Sequence, residues 1–102
     1  MRKVTKPLQA LAAPPATQPA HFTSVEAAAV QSLSKGEATA DQQRTAWRWI
    51  LEGACGLPTW PYRESARETD IALGRHFVGQ QLIGVTKVNI SILKKREESA
   101  NG

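Results

Sequence analysis

The chain has 102 residues, with 13 Lys and Arg against 9 Asp and Glu, for a net charge of +4. A domain of that length buries only roughly 60 to 65% of the surface its unfolded chain exposes, which argues against a large catalytic cleft with a supporting shell. The charge is also unevenly placed: Arg2, Lys3 and Lys6 stand without an acid in residues 1–21, residues 22–88 balance to zero, and residues 89–102 carry one net positive charge. A duplex-reading domain gathers its cations on one folded face. Here the expected folded part is neutral and its charges are interspersed.

Cys55 is the single cysteine and cannot close an intramolecular disulfide, and His21 and His76 lie too far apart in sequence to suggest a metal site with it. Neither metal nor cofactor is expected. No run of 18 apolar residues is present, and Pro7, Pro14, Pro15 and Pro19 interrupt the N-terminal segment, so neither a membrane span nor a signal peptide is expected.

Residues 1–21 are rich in Ala and Pro, a composition that buries too little apolar surface to offset its ordering entropy. The expectation is a disordered or extended tail, either inert or ordered as a strap on a partner surface. A first helix is expected over about 23–35. It opens with Thr23-Ser24-Val25-Glu26, a side-chain oxygen followed by a first-turn carboxylate, and stops at Gly36. Its apolar stripe is mostly alanine and therefore thin.

A second helix is expected over about 40–55, because Thr39-Ala40-Asp41-Gln42 is a capping box and no Gly or Pro follows until Gly53. Trp47, Ile50, Leu51 and Ala54 form its apolar stripe, and Trp49 points about 200° away from Trp47 at 100° per residue. Trp49 then either packs against a neighbouring segment or anchors a partner. The segment Gly56-Leu57-Pro58-Thr59-Trp60-Pro61-Tyr62 cannot continue a helix. Leu57, Trp60 and Tyr62 either cover helix ends or project as an aromatic contact site.

A third helix is expected from a cap at Ser65. Ile71, Gly74, Val78, Leu82 and Val85 share one face, widened by Leu73, Phe77 and Val88, and that arc marks the face expected in the core. Gly74 and Gly84 fall on it, where a neighbouring backbone or ring could approach. His76, Gln80, Ile83 and Lys87 fall opposite. From Val88 to Ile92 the pattern alternates like a strand, leaving continued helix, irregular tail and extended arm as alternatives. The resulting class is mainly α, a small bundle of three helices. Residues 1–21 are the basic tail, 22–93 the helical domain and 94–102 a frayed charged end.

The chemistry of sites is sparse. The carboxylates sit at helix starts and on mixed-charge faces, Cys55 lies at the helix pole that disfavours a thiolate, and the glycines fit no phosphate-loop spacing. No enzymatic activity is expected. The first two helices have the spacing of a helix-turn-helix, in which Arg44 and Arg48 would be the displayed cations, but Asp41 would sit nearest the groove.

The residues Ala40-Asp41-Gln42-Gln43-Arg44, Trp47-Arg48-Trp49-Ile50, Ala54-Cys55-Gly56, Thr69-Asp70 and Gly74-Arg75-His76-Phe77-Val78-Gly79 together resemble a family of small tailed-bacteriophage proteins. The likeness covers about residues 37–88 and departs at His76, where the family has a second Arg, and in the Trp-Pro-Tyr loop. It implies a viral setting and the head and packaging gene region, with no biochemical activity attached. The expected function is a noncatalytic virion-assembly protein that binds a larger head, portal or head-tail component. Trp49, Trp60, Tyr62, Arg2, Lys3 and Lys6 are the expected contacts, and the expected location is the host cytoplasm or the virion. The alternatives are a DNA-packaging or regulatory accessory protein contacting nucleic acid weakly through Arg44 and Arg48, and an inhibitor of a host protein. Association with a second copy of the chain is a further expectation, from the helix glycines and surplus tryptophans.

Overall fold

The computed structural model describes residues 15–101, which form four helices and no strand. Helix α1, Ser24–Ser34, starts at Thr23: its hydroxyl accepts the Glu26 N–H, and the Glu26 carboxylate accepts the Thr23 N–H at 2.8 Å. The helix stops at Gly36, whose φ of 73° is the left-handed conformation that lets the Glu37 N–H return to the Ser32 carbonyl. Helix α2, Ala40–Trp49, repeats the reciprocal cap through Thr39 and Gln42. It runs on through a π-helical turn, Ile50–Ala54, and ends at Gly56, φ 63°.

Helix α3, Ala66–Thr86, begins where the Ser65 hydroxyl accepts the Glu68 N–H. The expected continuation past Val85 is broken. Thr86 folds its hydroxyl onto the Ile83 carbonyl, and Asn89 then caps a separate helix α4, Ile90–Asn101, by accepting the Ile92 N–H. The extended-arm alternative is thereby corrected, because an Asx cap satisfies the free N–H groups that a strand would have left open. The charged segment from residue 94 belongs to this helix through residue 101.

Packing departs from the expected core. The buried apolar residues are Ala16, Ala29, Ala46, Cys55 and Ala72, and no large side chain among the described residues is fully buried. α1 packs on α2, with Ala29 and Ala46 fully enclosed. α3 meets the π turn through its narrow side, where Ala72 and Gly79 are buried. Gly79 is the close approach: a Cβ there would stand 2.8 Å from Leu57 Cγ and 2.9 Å from Cys55 Cβ.

Most of the apolar arc expected inside therefore faces out, while Ile71 and Leu82 are half-buried. Phe77 is 61% exposed and Val85 70%, Leu73 and Val78 are also exposed, and a Cβ on Gly74 or Gly84 would meet nothing within 4 Å. His76 and Ile83, expected on the solvent side, are half-buried. The physical reason is that α3 is held by hydrogen bonds and by backbone proximity at Gly79, so the smallest side chains face its neighbour. Residues 90–100 of α4 are exposed. The radius of gyration of 18.3 Å exceeds the roughly 13 Å of a compact 100-residue domain.

Candidate partner-binding site

The loop after α2 positions the exposed aromatics. Pro58 and Pro61 prevent helix, and the Thr59 N–H and hydroxyl both donate to the Gly56 carbonyl, at 3.0 and 2.7 Å. On its far side the Arg63 N–H donates to Thr69 Oγ1 at 2.8 Å, that hydroxyl donates back to the Arg63 carbonyl, and the Arg63 guanidinium donates to the Trp60 carbonyl. Between these ties Trp60 is 71% exposed and Tyr62 57%, with ring centroids 5.2 Å apart. Two aromatics in mutual contact on a tethered loop form a contact surface that loses little conformational entropy on binding.

Trp49 takes the packing alternative. Its indole N–H donates to the His21 carbonyl at 2.9 Å, Phe22 meets its ring edge-on at 6.3 Å, and the ring lies over Gly53, where a Cβ would clash with it. Trp47, expected in the core, is 39% exposed, because the enclosed position on α2 is Ala46. Replacing Trp49 by Phe removes the bond to His21, and a loss of about 1 kcal/mol in urea-unfolding stability is expected.

Residues 15–21, assigned from sequence to the tail, dock on the helices. Ala16 is buried; its N–H donates to Glu68 Oε1 at 3.2 Å and its carbonyl accepts from Arg75 at 3.3 Å. Arg75 also donates from Nε to the Ala54 carbonyl and from Nη2 to the Gly53 carbonyl, both at 2.9 Å. It thus caps the C-terminal end of the π turn, where a cation is favoured. Sequence reasoning missed this residue, since its acceptors are main-chain carbonyls far away in the chain. Arg2, Lys3 and Lys6 lie outside the described residues.

One concavity lies between residues 18–21 and the end of α2, with His21, Glu52, Thr59, Arg63 and Arg75 in its wall, but the Arg75 guanidinium is directed at carbonyls. Among the described residues no three His, Cys, Asp or Glu side chains gather as a metal-ligand set, and no helix is long and apolar enough to cross a membrane. On α2, Arg44 pairs with Asp41 at 2.8 Å on the exposed surface, and Arg48 is exposed as well. No protein-family model matches the chain, and no curated protein or solved structure is similar to it.

Proposed function

We propose that the protein is a noncatalytic assembly protein of a tailed bacteriophage that seats on a larger head, portal or head-tail component through Trp60 and Tyr62. The observation that carries the binding role is the exposed pair of mutually tilted rings on a loop tied at both ends. Aromatic anchors of this kind concentrate binding energy when a partner pocket desolvates them. The phage setting comes from the resemblance over residues 37–88, and the cations Arg2, Lys3 and Lys6 would add electrostatic steering to the same contact.

The test is quantitative mass spectrometry of purified particles carrying the wild-type chain or the Trp60→Ala, Tyr62→Ala double variant. The expected result is a constant copy number for the wild type and a loss of roughly 10-fold or more for the variant, with unchanged helicity of the isolated chain. Absence of the wild-type chain from particles, or equal incorporation of the variant, contradicts the proposal.

A further inference from the structure

We infer that α3 pairs with α3 of a second copy of this chain, antiparallel, through a seam formed by Ile71, Gly74, Val78, Gln81 and Val85 and continued by Val88, which lies just past the end of the helix. The spacing of these residues alternates three and four, the repeat by which one helix fits another of the same period, and every seventh residue from Ile71 is β-branched. The seam turns away from the side of α3 carrying Ala72 and Gly79. Val78 is 49% exposed, Val85 70% and Val88 43%. Between Asp70 and Lys87 the one formally charged side chain is Arg75, which is turned inward onto carbonyls. Two copies of this face therefore meet without burying like charges.

Direction follows from where the side chains are missing. In a parallel, in-register pair, Gly74 would face Gly74 of the second copy, leaving a void that costs dispersion contact. In an antiparallel pair the layers become Ile71 with Val88, Gly74 with Val85, and Val78 with Gln81, each twice by symmetry. At the flank, Phe77 then lies beside Gly84. The open space that the structure shows over Gly74 and Gly84 is filled in each case by a large side chain of the second copy. The ends agree as well: the antiparallel arrangement directs Asp70 towards the end of the second copy that carries Lys87, whereas a parallel one stacks like charges.

Sedimentation equilibrium at micromolar concentration is expected to give twice the chain mass for the wild type and the single chain mass for Val85→Lys. Because Val85 is so exposed, the helicity of that variant should be unchanged. Orientation is read by disulfide cross-linking in a Cys55→Ala background, which removes the native thiol. Gly74→Cys and Val85→Cys chains are expected to cross-link when mixed and not when oxidised separately. A monomeric wild type, a dimeric Val85→Lys variant, cross-linking of either cysteine chain with itself, or no cross-link in the mixture would each overturn the proposal. The readouts are independent of Trp60 and Tyr62, so failure here leaves the partner-binding role standing.

Discussion

Replacing Arg75 by Met is expected to lower the free energy of unfolding by about 3 kcal/mol. The guanidinium joins three separated parts of the chain: the Gly53 and Ala54 carbonyls at the end of the π turn, the Ala16 carbonyl of the docked N-terminal segment, and α3 itself. The carbonyls of a last helical turn lack intrahelical donors, and a charged donor supplies both partner and favourable dipole interaction. Bonds from a charged group contribute about 1.5 to 3 kcal/mol each when shielded, and the partial exposure of Arg75 and its longer 3.3 Å bond to Ala16 bring the sum below three full bonds, to about 3 kcal/mol. The Met side chain keeps the apolar stem and removes the donors. Urea unfolding followed by circular dichroism measures the change. Arg75→Lys should recover only part of the loss, because one ammonium cannot reproduce the planar fork. A midpoint equal to the wild type would show that the three carbonyls are as well served by water.

The second large effect is at Gly79, where valine is expected to destabilise by about 3 kcal/mol or more and alanine by less. An added Cβ would stand 2.8 Å from Leu57 Cγ and 2.9 Å from Cys55 Cβ, and the cysteine carbon is attached directly to the main chain that closes the π turn. Relief therefore requires α3 to move off the turn, exposing Cys55 and Ala72. The gain of about 1 kcal/mol in helix propensity on replacing glycine by alanine offsets part of the overpacking, so the valine variant reads the clash more clearly. Gly84→Ala is the internal comparison: its Cβ meets nothing, and the propensity gain should appear as increased stability of the dilute chain. Thermal unfolding of the Gly79 and Gly84 variants side by side separates the two cases by sign.

What was legible in the sequence was local. Thr23 with Glu26, Thr39 with Gln42, Ser65 with Glu68 and the stop at Gly36 all involve partners within three to five residues, and each cap is formed as its residue types dictate. The mainly helical class followed from them. The extra break before α4 carried a signal too, since Asn89 precedes the helix as a cap, but the alternation of Val88, Ile90 and Ile92 obscured it.

The face of α3 was not legible. Periodicity identifies the apolar arc through Val78 and Val85 but not what covers it, and the chain instead closes α3 through Ala72, Gly79 and the Arg75 bonds. Likewise the enclosed position of α2 is Ala46, beside the larger and more exposed Trp47. A count of apolar volume favours the wrong residue whenever two backbones approach closely. At the candidate site, the prominence of Trp60 and Tyr62 was expected from their Pro-rich loop as one alternative. The seating of Trp49 depended on a main-chain carbonyl of His21 that no spacing rule points to.

This protein closes its interior with small residues and leaves large apolar groups exposed. Hydroxyl-radical footprinting read by mass spectrometry tests this arrangement most directly, because it reports the solvent access of individual side chains. In dilute protein, Trp60, Tyr62 and Phe77 should be oxidised several-fold faster than Trp49, and raising the concentration should protect Phe77 alone among the fast three. Protection of Phe77 at every dilution, with Trp49 as reactive as Trp60, would contradict the account and return the wide face of α3 to the interior.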